Sequence, residues 1–313
     1  MIAITDHGII EDVLQNEPID NVQHLQGLLM PGLINTHCHL ELSHLKGMIP
    51  EHTGLVDFLL SVNAGRHNFS QEQIDGAIVQ GEEEMIRNGI VAVGDISNSD
   101  HTLFQKKQQH LRYHTFVECF GLLDSHAQQR FEHSLNLCSE FVNASVVLHA
   151  PYSISDTLIR LVDEVSVDKI TTIHNQECED ENELFLTGKG NFIKLFNAIL
   201  KDNSFFRASG KSSLQTYLPK LIQQEKLILV HNTVSSAEDI RFAHSMHKEL
   251  YWCLCPNANL YIENKLPDIP MMMENGCQLV LGTDSLASNH QLISWTRCIP
   301  CKNISLRFLL KKN

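Results

Sequence analysis

Eight short apolar, β-branched runs recur along the chain, each ending in polar or ionisable residues before a longer helix-like stretch begins. They read GLLMPGLINTHCH, GIVAVGDIS, HTFVECFG, ASVVLHAPYS, KITTIHNQE, KLILVHNT, LYWCLCPNAN and CQLVLGTDS. Between them, stretches such as QEQIDGAIVQGEEEMIRN, SDTLIRLVDEVS and SSAEDIRFAHSMHKE carry helical spacing of apolar residues. Near-continuous apolar strands belong in a parallel sheet covered by helices on its faces. Eight strands and seven crossovers in 313 residues predict an α/β chain closed into a (β/α)8 TIM-type barrel. The rival is a doubly wound open sheet, but no G-x-G-x-x-G follows any of the runs.

The ends of the chain fall outside this pattern. Residues 1–27 open with IAITDHGIIEDVL, which reads as two short strands around an Asp-His-Gly turn, part of a small β appendage. The barrel is expected over residues 28–290. Residues 291–313 form an atypical tail, and no Asp or Glu occurs after Asp284. The expectation is a fragment, or a tail from a shifted reading frame, with the last helix and the appendage incomplete.

Net charge is −13 with no basic stripe, which argues against nucleic acid and anionic membrane as partners. No apolar run approaches a membrane span, and the opening MIAITDHGII lacks the basic start of a signal peptide. Nine cysteines without a regular disulfide spacing suit a reducing, cytoplasmic compartment. A small-molecule substrate is the expected partner, and homo-oligomers are compatible with everything above.

Of the 18 histidines, only placement can pick out ligands. His37 and His39 are two apart at the end of the first run, so both face the same side, into the barrel mouth, with Cys38 facing away. Barrel active sites are built at this end of the strands. The fourth run ends in His149, the fifth in His174, the sixth in His231 and the eighth in Asp284. Ionisable groups gathered at one end need a partner when buried, and a divalent cation supplies one. Imidazole and carboxylate without thiolate suit a catalytic zinc or another borderline metal such as Fe²⁺.

The motifs PGLINTHCHLE, HNQE, LVHNT and LGTDS, in that order, resemble the amidohydrolase superfamily, and within it the deaminase branch acting on adenosine-type compounds. The resemblance covers nearly the whole chain. It implies that His37, His39, His174 and Asp284 hold the metal. It implies further that Glu177 is the proton shuttle, and that His231 hydrogen-bonds the attacking water while Asp284 takes up its second proton. Binuclear members bridge two metals through a modified lysine on the fourth strand. SVVLHAPYS has no lysine there, so one metal ion is expected. The competing role for Glu177 is a solvated acid in the run ECEDENE.

His149 resembles the fourth-strand histidine that contacts substrate in nucleoside-deaminating members, and a purely structural role fits it as well. Glu41, directly after the histidine pair, resembles the acid of the group that includes aminofutalosine deaminases. It either meets a ribose or carboxyl-bearing substrate or anchors the first loop. RASGKSS, residues 207–213, lacks the first glycine of a phosphate loop. Arg207, with Ser209 and Lys211, would reach a polar substrate tail from a loop over the mouth, or would be solvated. The resemblance implies hydrolytic release of ammonia from an adenine-bearing nucleoside, aminofutalosine first, then S-adenosylhomocysteine or adenosine. The alternatives are opening of a cyclic amide and a truncated, non-catalytic homologue.

Overall fold

The computed structural model describes residues 2–7, 9–15, 22–24, 26–27 and 30–293. The expected tail beyond residue 293, and Gly8 of the first turn, lie outside them. The chain divides into a small unit up to Pro31 and a large one from Gly32 onward.

In the small unit β1 (Ile2–Ile4) pairs antiparallel with β2 (Ile10–Val13). Thr5 closes the connection: its Oγ1 accepts the N–H groups of His7 and Ile9, at 3.2 and 3.1 Å.

The large unit holds two four-stranded parallel sheets. The first runs β3 (Leu33–Cys38), β4 (Ile90–Ser97), β5 (Arg112–Cys119), β6 (Ala144–Leu148). The second runs β7 (Ile170–Asn175), β8 (Lys226–His231), β9 (Glu249–Leu254), β10 (Gln278–Leu281). All eight apolar runs are therefore strands, and each pairs in parallel with its neighbour in sequence. The two sheets meet at both edges through the C-terminal ends of their strands. His174 N–H donates to the His149 carbonyl (2.9 Å), while Thr283 and Asp284 N–H both donate to the His37 carbonyl (2.9 and 3.1 Å). Ile96, Phe116, Val147, Ile228, Val230 and Cys253, drawn from both sheets, form one buried cluster between them.

Helices occupy every crossover. α1 (Leu55–Gly65) and α2 (Gln71–Arg87) follow β3, α3 (Leu103–Lys106) follows β4, α4 (Asp124–Ser139) follows β5 and α5 (Asp156–Glu164) follows β6. α6 (Glu179–Thr187), α7 (Phe192–Leu200) and α8 (Ser213–Tyr217) lie between β7 and β8. α9 (Ala237–Met246), α10 (Pro256–Glu263) and α11 (Ile269–Glu274) complete the set. The strongest starts are written in sequence: Ser70 with Gln73, and Ser236 with Asp239, form reciprocal capping boxes on α2 and α9. α2 buries Ile74, Ile78 and Met85, at helical spacing, against Cys38 of β3. Cys38 thus faces the helix layer, and its neighbours His37 and His39 are freed for the other side.

No helix among the described residues is long and apolar enough to cross a membrane. The described cysteines are all free thiols, and Cys253 and Cys255 are fully buried core groups.

Candidate active site

Backbone strain marks the strand ends. His231 (φ 74°), Asn232 (58°), Gln176 (45°) and Asp284 (59°) all take the left-handed conformation that costs a residue with a Cβ about 1–3 kcal/mol. Strain of this kind persists only where surrounding contacts over-determine it. Gly282 has the opposite reason to be special: a Cβ there would sit 2.8 Å from that of His37 and 2.9 Å from its carbonyl. The missing side chain lets the chain pass close to His37, so that Asp284 swings to the histidines.

The result is a tight cluster. His39 Nε2 lies 3.1 Å from His37 Nε2 and 3.3 Å from His174 Nε2. Asp284 Oδ1 is 3.4 Å from His39 Nε2 and 3.7 Å from His37 Nε2. All four side chains are buried. Burial first, and the neighbouring imidazoles second, drive the His39 imidazole down to about 3 and hold His174 well below its ordinary value. Burial pushes the Asp284 carboxyl up, but its interactions with His37, His39 and His231 outweigh that and hold it below the usual carboxylate range. His39 and His174 therefore stand as neutral imidazoles beside one carboxylate. The His174 tautomer is set: its Nδ1 is 2.8 Å from the His149 carbonyl, which can only accept, so the proton is on Nδ1 and Nε2 offers a bare lone pair.

A divalent cation fits this donor set. Ligands bonded at 2.0–2.1 Å around a tetrahedral ion stand about 3.3–3.4 Å apart, and the separations above bracket that value. His37, His39 and His174 form one set of donor atoms close enough to share an ion, and His37, His231 and Asp284 form another.

Beside the cluster stand two proton-handling groups. His231 Nε2 faces Glu177 Oε1 at 3.5 Å, and its Nδ1 lies 2.8 Å from Asn259 Oδ1. Burial lowers the His231 imidazole to about 4 and raises the Glu177 carboxyl well above its ordinary value, helped by the charges of Asp284, Glu181 and Glu263. Glu177 is only 4% exposed, unlike Glu179 and Glu183 of α6, which are exposed.

A cavity of about 240 Å³ opens over these groups, lined by His39, His149, His174, Glu177, His231 and Asp284. Its outer wall is apolar, with Phe58 and Leu59 from α1 and Leu195 and Ile199 from α7. His149 is held by Ser153 Oγ, 2.7 Å from its Nδ1, and burial lowers it to about 4. Glu41 and Arg207 are not among the lining residues. Glu41 is buried and taken up by the chain: it accepts from Asn98 N–H at 3.1 Å and Ser99 Oγ at 2.7 Å, so it anchors the loop after β4. Arg207 is exposed on the segment before α8.

Two lining residues with charge-bearing side chains, Glu118 and Arg66, were not singled out by sequence. Glu118 ends β5, and burial raises its carboxyl to about 8. It accepts from Asn98 Nδ2 (3.0 Å) and its Oε1 stands 3.3 Å from His174 Nδ1. The signal was present, since Glu118 is an ionisable residue at a strand end like His149. Arg66, at the end of α1, is the cation among the cavity's lining residues, with Nη2 3.9 Å from Glu41 Oε1.

Comparison with known proteins agrees with this geometry. The chain is 26% identical to an adenosine deaminase of Helicobacter pylori over 85% of its own length and 65% of that protein's. It is 25% identical to an aminodeoxyfutalosine deaminase of Nitratiruptor, over 90% of this chain and 70% of the relative. Among solved structures, H. pylori aminofutalosine deaminase in complex with methylthio-coformycin superposes with a TM-score of 0.75 at 25% identity, over 84% of this chain and 65% of that one. The chain therefore spans about two thirds of the length of these relatives. Residues 28–312 match the amidohydrolase family, and the chain belongs to it.

Proposed function

We propose that the two sheets are halves of a (β/α)8 barrel whose mouth performs metal-dependent hydrolytic deamination of an adenine-bearing nucleoside. The observation that carries the reading is the buried Glu177–His231 pair beside the imidazoles of His37, His39 and His174 and the Asp284 carboxylate, with all but His37 lining one cavity. His37, His39, His174 and Asp284 would hold one divalent ion, zinc by donor type or Fe²⁺. When bound, such an ion supplies a water whose pKa falls from 15.7 to about 7.

The chain's own residues then move protons. Glu177 takes one from the attacking water as a carboxylate and, once protonated, delivers it to a ring nitrogen of the base; burial raises its proton affinity, which suits a group that must both accept and hand on a proton. His231, neutral and oriented by Asn259, accepts a hydrogen bond from the water through Nε2 and keeps it in line. Asp284, held as a carboxylate, accepts the second water proton. Asp284 passes that proton to the amino nitrogen, the C–N bond breaks, ammonia leaves, and a ring carbonyl remains. The apolar wall from α1 and α7 suits a flat base and excludes bulk water. His149 contacts the nucleoside from the end of β6, and Arg66, in place of the Arg207 expected from sequence, is the cation for a polar tail.

Among substrates we rank aminofutalosine first, with S-adenosylhomocysteine and adenosine next; all three classes occur in the names of the relatives. Metal content together with ammonia release from adenine, adenosine, S-adenosylhomocysteine and aminofutalosine tests the proposal. The expected order is extended nucleosides above adenosine, and adenosine above adenine. A fully metal-loaded protein that releases ammonia from none of them would sink it.

A further inference from the structure

Glu181 is buried with no exposed surface, yet it touches neither the cavity nor the histidine cluster. Its carboxylate is spent on the chain that leads to Glu177. Oε1 accepts the N–H of Gln176 at 3.0 Å, and Oε2 accepts the N–H of Glu177 at 3.1 Å. The Ser213 hydroxyl of α8 donates to Oε1 from the far side. We propose that Glu181 is a positioning residue: by holding two successive peptide N–H groups it fixes the left-handed turn that aims the Glu177 carboxyl at His231.

Helix capping does not account for this arrangement. Glu181 is the third residue of α6, and a capping box would return its carboxylate to the N–H of the cap residue, Cys178. It reaches past Cys178 to the two residues before it. The turn it grips is clamped elsewhere too. The Gln176 side chain accepts from Ser235 Oγ at 2.6 Å and donates to Asp239 Oδ2 at 3.1 Å, and its carbonyl accepts the Val234 N–H at 3.1 Å. Gln176 itself has φ 45°, a conformation that such contacts must hold. Without the Glu181 oxygens, two buried N–H groups would lose their acceptors and the turn would be free to relax. A shift of about 1 Å in a reacting group costs on the order of 10²-fold in rate.

The inference rests on the proton-carrying role proposed for Glu177, and a double-mutant cycle tests it. Glu181→Gln replaces one acceptor oxygen with an amide NH₂ and keeps the shape. In E181Q, kcat should fall by about 10²-fold, with KM and metal content level. In an E177Q background the same change should cost little further, because Glu181 acts through Glu177. Ser213→Ala keeps both N–H bonds, so its loss should be smaller. Equal losses from E181Q in both backgrounds would overturn the proposal, since a general structural role predicts that result. If the wild-type protein deaminates nothing, the functional reading fails separately. Crystal structures of wild type and E181Q then decide the inference: Glu177 displaced from His231 supports it, and Glu177 in its wild-type place overturns it.

Discussion

Asp95 and Asp284 flank Cys38 in the same layer of the fold, one on each side. Asp95 of β4 stands in register with Cys38, and Asp284 bridges to it from beyond β10. Both are buried acids, and their surroundings differ because they face opposite ways. Asp95 turns toward α3, where Lys106 Nζ is 2.7 Å from its Oδ2 and the Leu40 N–H is 2.9 Å from Oδ1. The lysine is in turn held by Ser97 and Thr115 Oγ atoms at 3.1 and 3.0 Å. Asp284 turns inward to imidazoles that burial keeps neutral. The chain closes the first charge with its own cation and leaves the second without one. A buried charge that the fold neutralises is architecture; a buried charge facing bare nitrogens is a demand for a ligand.

The largest expected effect lies on the open side. E177Q preserves size and hydrogen bonding but removes the carboxyl proposed to carry the proton. Turnover should fall by roughly 10²–10⁴-fold, while metal content and melting temperature hold. Steady-state kinetics beside metal analysis measures this. Full turnover in E177Q would return the residue to the solvated acids of α6.

The closed side should respond in stability instead. Lys106→Met leaves Asp95 as a buried, uncompensated carboxylate, and breaking such a pair costs about 3–5 kcal/mol. Adding Asp95→Asn removes the stranded charge and should recover most of the loss. Denaturant melts of the two variants make the test. A K106M cost below about 1 kcal/mol would mean that the pair is no stronger than a surface ion pair, and the contrast drawn above would fail.

Acid should separate the two regions as well. His149 and His231 are lowered to about 4 and His39 to about 3, all by burial, so the folded protein binds fewer protons at these sites than the unfolded chain. Their contribution to stability is complete above the ordinary histidine value near 6.5 and is lost as pH falls toward 4. Between pH 6.5 and 5.5 the metal-free protein should lose roughly 1 kcal/mol for each such imidazole. The D95N/K106M double variant should keep that slope. A flat profile across this window would show that the imidazoles are solvated.

The fold was legible because buried parallel strands must be apolar on both faces, and all eight runs stood out against their helices. α1 and α7 were harder to read. LVDFLLSV is apolar nearly all round, so no polar face reveals a helix; FIKLFNAIL carries a polar face in Lys194 and Asn197 but runs only nine residues, and no motif marks the cavity wall the two helices form. Asp284 and the histidines were legible from strand ends and motif order. Glu118 obeyed the same strand-end rule and was passed over, because no motif pointed to it. Arg66 gave no local signal: only packing decides that the residue capping the end of α1, rather than Arg207 on the segment before α8, reaches the cavity.

Arg66 also carries the smallest predicted effect and the finest form of the contrast. The mouth does contain a chain-supplied cation, but a loosely held one. Its nearest acid, Glu41, is 3.9 Å away and already accepts from Asn98 and Ser99, whereas Lys106 is in full contact with Asp95. A guanidinium with spare donors at the edge of a cavity is available to an anionic substrate tail. The group is part-exposed, so solvent screening limits its worth to roughly 1–1.5 kcal/mol, or about tenfold in KM. Arg66→Ala should therefore raise KM for a carboxylate-bearing nucleoside by about that factor, leave adenosine unchanged and spare kcat. Arg207→Ala, on the exposed segment, should change neither substrate. If R66A weakens adenosine and the extended substrate alike, Arg66 supports the cavity wall and does not read the tail. If R207A alone raises KM for the anionic substrate, the segment before α8 folds over the mouth when substrate binds, and the sequence reading of Arg207 stands.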